Sequence, residues 1–281
     1  MKIKEFLKSQ IPEDKLVYIP TSFDVIGTIC ILEIKEEIEK YEQLIAETIL
    51  KLNKNIKSVF KKTSGRTGKH RTYKLKFLAG INNKETIYLE NGVKFKLDVE
   101  KCYFSPRWSN ERLRISKLIK KNESVLVMFS GIGSFIFVIL KKSNPKLVYG
   151  IEINRIAHKY AIENINLNKF NENKVKLYNG DVTKVLPKLN LKFDRILMPL
   201  PKDSKSFLDL AFKYTKKNST IHYYTFLEEP KDLKEDLNKY WKRILKEDLK
   251  DFNNKIKNIN IIKAGVFATR IFRVCVDIKT K

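Results

Sequence analysis

The sequence predicts two domains of different architecture: a small α+β domain over residues 1–104 and a larger α/β domain over residues 105–281. The chain has 281 residues, more than the roughly 150 of a typical domain. After Pro106, helical segments alternate with short apolar strands, which is typical of a parallel sheet covered by helices. With 43% hydrophobic residues, 10 Gly and 8 Pro, the composition excludes disordered and collagen-like chains.

Each domain has its own order of elements. In the first, β-prone runs at 25–32, 86–89 and 93–97 accompany one long helix at about 33–52. The second is predicted to contain seven strands, at 124–129, 147–151, 175–179, 194–198, 220–224, 258–263 and 271–277. Its predicted helices lie at 106–120, 134–142, 155–168, 205–216 and 231–243.

Neither a membrane span nor a disulfide framework is predicted. The apolar stretch 125–140 is interrupted by Gly131 and Gly133 and is shorter than the ~20 residues of a transmembrane helix. No secretory signal follows Met1. The cysteines, Cys30, Cys102 and Cys275, are widely spaced without a C-x-x-C pattern. We therefore expect a reducing, cytoplasmic location and no zinc site.

The charge predicts a polyanionic partner. Lys and Arg number 57 against 32 acidic residues, a net charge of +25, which favours nucleic acid. Residues 51–76 hold ten Lys or Arg and no acid, with Phe60, Tyr73, Gly65 and Gly68 among them. We interpret this stretch as a phosphate-contacting loop; a merely solvated loop is the alternative.

A cofactor site is predicted at the ends of the first three strands of the second domain. Gly131 and Gly133 form a turn after the first strand, where ligands bind in parallel sheets. Ile136 stands where a dinucleotide fingerprint needs its third glycine, which disfavours nicotinamide and flavin cofactors. Glu152 can accept ribose hydroxyls and Asp181 an adenine amino group, a combination that favours S-adenosylmethionine. An ordinary α/β core with chance acids at strand ends is the alternative.

The fourth strand ends in Pro199-Leu-Pro201. Two prolines make a stiff wall whose only acceptors are backbone carbonyls, suited to holding a flat base.

Residues 101–112, Lys-Cys-Tyr-Phe-Ser-Pro-Arg-Trp-Ser-Asn-Glu-Arg, together with the glycine turn, closely resemble the archaeal and eukaryotic tRNA (guanine-37-N1)-methyltransferases. Shorter matching strings lie at 22–27, 68–71, 78–80, 151–154, 164–168 and 221–224. The resemblance implies a class I, Rossmann-like S-adenosylmethionine-dependent methyltransferase with a seven-stranded mixed sheet, preceded by a small α+β tRNA-binding domain. It implies methyl transfer to N1 of guanine 37 in the tRNA anticodon loop.

The resemblance also assigns roles to residues. Glu111 matches the general base, Arg71 the arginine at guanine O6, and Tyr103 a tyrosine of the target pocket, with Pro199 as the pocket wall. The plainer alternatives are an exposed helical acid for Glu111, a phosphate contact for Arg71 and a packed aromatic for Tyr103. Cofactor-binding positions are expected at Arg112, Phe129, Gly131, Gly133, Glu152, Ile153, Asp181, Val182 and Pro199.

Two positions depart from the family pattern. Val127 stands where the family has an acid, and Pro199 stands where it has an asparagine. Pro199 resembles an archaeal subgroup that also methylates C7 of 4-demethylwyosine at position 37, so this base is considered as a second substrate. Many relatives carry an extra N-terminal domain that contacts the tRNA elbow, which we expect this chain to lack.

Two other functions remain open. One is the aminocarboxypropyl transferase of the wyosine pathway, against which Glu111 and the proline wall argue; the other is a non-catalytic tRNA-binding relative, kept open by Val127. Structural roles are expected for His70, His158 and His222, because none has a metal-ligating neighbour at useful spacing in the sequence. We expect a monomer that uses neither metal nor membrane.

Overall fold

The computed structural model describes residues 3–281, and the chain forms two compact units, Met1–Pro106 and Arg107–Lys281. The first unit contains a four-stranded sheet of order β1-β2-β3-β4 and a separate hairpin, β5-β6. Its elements are α1 (Ile3–Leu7), β1 (Asp24–Ile26), β2 (Ile29–Leu32), α2 (Glu42–Leu52), β3 (Ser58–Lys62), β4 (Leu75–Gly80), β5 (Glu85–Glu90) and β6 (Val93–Asp98).

Three expectations for the first unit are wrong. Residues 25–32 are not one strand, because Gly27 with φ of +58° turns the chain between β1 and β2. The helix expected from residue 33 begins only at Glu42, after a 3₁₀ segment, Glu36–Tyr41, that buries Ile38. Strands β3 and β4 lie within or beside the basic run, so only residues 63–74 connect them.

The second unit contains the predicted seven strands in one mixed sheet of order β12-β13-β11-β10-β7-β8-β9. The strands are β7 (Ser124–Val127), β8 (Leu147–Glu152), β9 (Val175–Asn179), β10 (Phe193–Met198), β11 (Thr215–Glu228), β12 (Ile256–Ala268) and β13 (Ile271–Thr280). The helices are α3 (Ser109–Leu118), α4 (Ser134–Lys142), α5 (Arg155–Leu167), α6 (Val182–Leu189), α7 (Leu208–Lys213) and α8 (Leu237–Asp248). Strands β7 to β11 run parallel, and β13 is antiparallel to β11 and β12.

Several helix boundaries differ from the predicted ones for local reasons. Helix α6 was not predicted, although Asp181 caps it. Helix α8 begins six residues later than expected, because the Asp236 side chain accepts the Lys239 backbone N–H at 3.0 Å and thereby caps the first turn. Thr215 and Lys216, placed at a helix end by the sequence pattern, belong to β11.

The apolar stretch 125–140 consists of β7, the glycine turn and α4. Five consecutive residues of α4, from Phe135 to Ile139, are buried, so this helix is covered on all sides by protein. Within residues 3–281, no helix has both the length and the apolar character required for a membrane span.

Candidate active site

The glycine turn that follows β7 has the left-handed backbone its sequence predicts. Gly131 and Gly133 have φ of +55° and +83°. A Cβ atom at Gly133 would lie 2.2 Å from the Phe137 ring, so this position requires glycine for both backbone and steric reasons. The turn thus brings bare backbone to the carboxyl end of β7.

Glu152, the last residue of β8, is hydrogen-bonded to this turn. Its Oε2 accepts the Gly131 N–H and its Oε1 accepts the Asn154 N–H, both at 2.7 Å. Asn154 in turn caps α5. These two bonds fix the orientation of the Glu152 carboxylate at the edge of the sheet.

Asp181 lies in the next turn along the edge. The Gly180 N–H donates to the Glu152 carbonyl at 2.9 Å, which joins the two turns. Asp181 Oδ1 accepts the Thr183 N–H at 2.9 Å and the Thr183 hydroxyl at 2.7 Å, so Asp181 already caps α6. Beside these acids, Ile153 is 37% exposed whereas Val182 is buried.

The Pro199 loop is less available than its sequence suggests. The Met198 and Leu200 carbonyls, counted among the free acceptors of the wall, both accept the buried Ser204 hydroxyl, at 2.9 and 2.8 Å. The wall therefore offers fewer backbone acceptors than expected. Phe129, at the end of β7, packs edge-to-face on Phe207 with a centroid distance of 4.9 Å.

Glu111, on α3, is not an exposed helical acid. It is 5% exposed, and its carboxylate accepts the Tyr224 hydroxyl at 2.6 Å. Arg114 Nε and Nη2 donate to its two oxygens, each at 2.8 Å. Burial, together with the negative charge of Glu111 and the hydrogen bond to it, raises the pKa of Tyr224, which keeps its hydroxyl protonated and donating. Arg112, the neighbouring basic residue, is also buried.

Arg114 joins Glu111 to a second carboxylate, the half-buried Asp277 on β13. Arg114 Nη1 donates to Asp277 Oδ2 at 2.8 Å, and the His222 imidazole lies 2.5 Å from Asp277 Oδ1. Burial alone would raise the pKa of Asp277, but the hydrogen bonds of His222 and Arg114, with the positive charge of Arg114, hold it well below its usual range. Asp277 therefore stays ionised.

The protonation of His222 follows from its partners. Its Nε2 lies 2.7 Å from Arg195 Nη1, and a guanidinium only donates, so Nε2 must accept. The imidazole proton therefore lies on Nδ1 and is donated to Asp277. Burial lowers the pKa of His222 despite the opposing effect of Asp277, in agreement with a neutral ring.

His222 does have potential metal-ligating neighbours, contrary to our expectation from sequence. The pairing of β11 with β13 places His222 opposite Asp277, and Cys275 lies close enough for all three ligand atoms to fall within 4.8 Å of one another. Arg195 and Arg114 already occupy the acceptor positions of His222 and Asp277. The cluster is therefore a hydrogen-bonded chain that starts at Arg195 and ends at Glu111.

In the first unit, residues 63–74 form a turn that presents Arg71. Arg71 is half-buried with φ of +54°, and its N–H donates to the Gly68 carbonyl. The Arg66 guanidinium lies over the rings of Tyr73 and Tyr103, 4.8 and 4.3 Å from their centroids. Arg66 also donates to the Arg71 carbonyl at 3.2 Å, so it holds the turn by stacking and hydrogen bonding.

Not all of the basic run is available to phosphate, which corrects its interpretation as one loop. Lys61 is buried and paired with Glu39, at 2.5 Å, and with Glu42. Lys76 pairs with Glu42 at 2.6 Å, and Lys62 pairs with Glu33, also at 2.6 Å. These lysines neutralise acids within the unit.

The described structure adds four residues that sequence reasoning missed: Arg66, Arg114, Tyr224 and Asp277. Arg66 was counted only as charge, and Tyr224 only as part of a matching string. Asp277 lies 163 residues after Arg114, so no local spacing could have indicated their pairing.

Comparison with known protein families shows to which family this chain belongs. The model of the TRM5/TYW2 methyltransferase domain matches residues 86–253, and that of the TYW2 N-terminal domain matches residues 3–84. The chain belongs to the TRM5/TYW2 family. The predicted resemblance is thereby confirmed, and the predicted fold agrees with that of the family's solved structures.

Individual relatives have differing activities in their names. The chain is 43% identical over 216 residues to tRNA (guanine(37)-N(1))-methyltransferase Trm5b of Pyrococcus abyssi, a match that covers 77% of this chain and 63% of that protein. It is 31% identical to tRNA(Phe) (4-demethylwyosine(37)-C(7)) aminocarboxypropyltransferase of Pyrococcus horikoshii, over 99% of this chain and 96% of that protein. The structure of aTrm5 in complex with tRNALeu superposes with a TM-score of 0.83 at 32% identity, over all of this chain and 78% of that one. This chain thus spans less than two thirds of the P. abyssi Trm5b.

Proposed function

We propose that this protein transfers a methyl group from S-adenosylmethionine to N1 of guanine 37 in tRNA. The observation that carries the proposal is the buried Glu111 carboxylate, fixed by Arg114 and Tyr224 in a family of tRNA-modifying enzymes. Guanine N1 carries a proton that must leave when the methyl group arrives, and a fixed carboxylate can accept it.

The residues present fit the cofactor. The bare turn at Gly131 and Gly133 leaves room for a close approach to backbone, and the oriented Glu152 carboxylate suits a ribose diol. When bound, the cofactor supplies a methyl group on a positively charged sulfur. We assign its binding to Arg112, Phe129, Gly131, Gly133, Glu152, Ile153, Asp181, Val182 and Pro199.

Three residues complete the proposed reaction. Arg71 stabilises the charge that grows on guanine O6 as the N1 proton leaves, and Tyr103 contacts the target base. Pro199 forms the wall against which the base is held. The absence of a side-chain amide at Pro199 supports the wider base 4-demethylwyosine as a second substrate.

We propose that the first unit contributes tRNA binding. Lys69, His70 and Lys74 are exposed on the same turn as Arg71, and a basic turn suits a phosphate backbone. Three free, buried cysteines support a reducing compartment, and we place the enzyme in the cytoplasm.

Transfer of the aminocarboxypropyl group is the second candidate. The match of the TYW2 N-terminal domain and the relative that aligns over 99% of this chain favour it. The two reactions release different co-products from S-adenosylmethionine.

The co-product therefore tests the proposal. The purified chain is incubated with S-adenosylmethionine and a tRNA bearing guanine 37, and a second reaction contains a tRNA bearing 4-demethylwyosine. Methyl transfer yields S-adenosylhomocysteine, whereas aminocarboxypropyl transfer yields methylthioadenosine. Methylthioadenosine as the only tRNA-dependent product would overturn the proposal in favour of the second candidate. If neither product forms, the proposal also fails, and the remaining interpretation is a non-catalytic tRNA-binding protein.

A further inference from the structure

The second unit contains a hydrogen-bonded chain of buried and half-buried polar side chains, most of which have no role in the proposed reaction. It runs from Arg195 through His222 and Asp277 to Arg114, and ends on Glu111. We infer that Asp277 is a positioning residue for methyl transfer: it holds Arg114 and, through Arg114, fixes the Glu111 carboxylate. The inference rests on the proposed function.

Arg114 is shared between two carboxylates. It donates to Glu111 at 2.8 and 2.8 Å, and to Asp277 at 2.8 and 3.3 Å. Burial would lower the pKa of Arg114, but its bonds to Glu111 and Asp277 raise it above its usual value, so the guanidinium keeps its charge. In the wild type, Glu111 and Asp277 share the positive field of one guanidinium; without Asp277, that whole charge would act on Glu111.

Asp277 is itself fixed on the side away from Arg114. The His222 Nδ1–H donates to its Oδ1 at 2.5 Å, and the Cys275 thiol donates to the same oxygen at 3.1 Å. Burial, with the charges of Asp277 and Glu111, raises the pKa of Cys275 well above its usual value, so the thiol remains a donor.

Arg195, at the other end of the hydrogen-bonded chain, anchors helix α3, which carries Glu111. Arg195 donates to the Leu118 carbonyl, the last residue of α3, at 2.8 Å, and pairs with Glu123 at 2.8 and 3.0 Å. Asp277 and Arg195 thus hold α3 at two points, one beside Glu111 and one at its end. The charged and titratable groups facing Glu111 through this chain are Arg114, Tyr224, Asp277, His222, Cys275, Arg195 and Glu123.

The test is the pH dependence of single-turnover methylation by Asp277→Asn, a change that keeps the shape and removes the charge. In this variant the whole charge of Arg114 acts on Glu111. We therefore expect a methylation rate about 10- to 100-fold lower and an acid limb of the pH–rate profile displaced to lower pH. The KM for tRNA is expected to be nearly unchanged. Arg114→Gln removes the positive charge and is expected to displace the acid limb the opposite way. In the double variant, Asp277→Asn is expected to add nothing to Arg114→Gln.

The control is Asp194→Asn. Asp194 accepts the Ser124 N–H and Lys216 at 2.8 and 2.7 Å, so Asp194→Asn removes a more exposed ion pair elsewhere in the same unit. Its pH–rate profile is expected to match that of the wild type. A lower melting temperature for Asp277→Asn with an unchanged pH–rate profile and rate per folded molecule would overturn the inference. An effect of Asp277→Asn that persists at full size beside Arg114→Gln would also overturn it.

A spectroscopic measurement separates this inference from the proposed function. The guanidinium N–H signals of Arg114 in ¹H–¹⁵N NMR are expected to be individually resolved in the wild type and averaged in Asp277→Asn, since one side of the group becomes free to rotate. Unchanged signals would contradict the inference. An inactive wild type would refute methyl transfer and leave these signals to decide the role of Asp277. If Asp277→Asn does not fold, the double variant, which removes one charge of each sign, is compared with Arg114→Gln alone.

Discussion

Individual side chains at the candidate site are held by structural hydrogen bonds and are also proposed to take part in the reaction. Glu111 is the clearest case, because a 5% exposed carboxylate needs compensating donors, and Arg114 and Tyr224 supply them. The motif at residues 101–112 indicated Glu111 from sequence. The motif could not indicate its donors, because the Tyr224 contact is made 113 residues along the chain. Local spacing predicts residues that lie within a motif, whereas contacts between elements far apart in the chain require the tertiary fold.

Glu111→Gln is expected to lower the methylation rate by about 10² to 10⁴, because the amide cannot accept the N1 proton. Binding of tRNA and cofactor should change little, since Gln keeps the size of the side chain. Single-turnover kinetics and equilibrium binding measure the two effects separately. A variant with wild-type turnover would remove Glu111 as the base.

At the scale of elements, hydrophobic periodicity predicted the strands whose apolar residues fill the core. It missed one strand and one helix whose pattern is interrupted by lysine or proline. The seven strands of the second unit were predicted because their apolar runs fill the core. Strand β3 was missed because Lys61 looks solvent-exposed in sequence, although Glu39 and Glu42 neutralise it inside the unit. Helix α6 was missed because Pro187 lies within it and Asp181 was considered only as a ligand.

Asp181 caps α6 and is also proposed to bind the cofactor, which leads to a prediction for α6. Asp181→Ser keeps a good capping residue but shortens the side chain, so we expect near wild-type stability together with a raised Kd for S-adenosylmethionine. Asp181→Ala should weaken cofactor binding and also lower the free energy of unfolding by about 1 kcal/mol, because the cap is lost. Thermal denaturation and calorimetric titration distinguish the two. Unchanged cofactor affinity in both variants would limit Asp181 to capping.

Over the whole molecule, the 57 Lys and Arg residues are divided between those that neutralise acids in ion pairs and those that carry the net charge of +25. Sequence alone gave the total and its implication of a polyanion, but not this division. Val127, where the resemblance implied an acid, is fully buried in β7. An aspartate there would introduce a charge into the core, so replacing Val127 is a test of stability before it is a test of cofactor binding.

Exposed lysines inside and outside the basic run should differ in their effect on tRNA binding. Lys69→Gln and Lys74→Gln, both on the exposed turn, are each expected to weaken binding and to reduce the slope of log Kd against log salt by about 1. Lys8→Gln, exposed in the same unit but outside the basic run, is the matched control and should leave the slope unchanged. Equal slopes for all three variants and the wild type would exclude the turn from tRNA binding.

Nucleoside mass spectrometry tests the central claim most directly. The purified chain is incubated with S-adenosylmethionine and three tRNAs that carry guanine, adenine or 4-demethylwyosine at position 37. We predict N1-methylguanosine from the first and no new product from the second, which locates the site. An added methyl group on the third would extend the activity to the tricyclic base. No methylated nucleoside from the guanine-bearing tRNA would contradict the account.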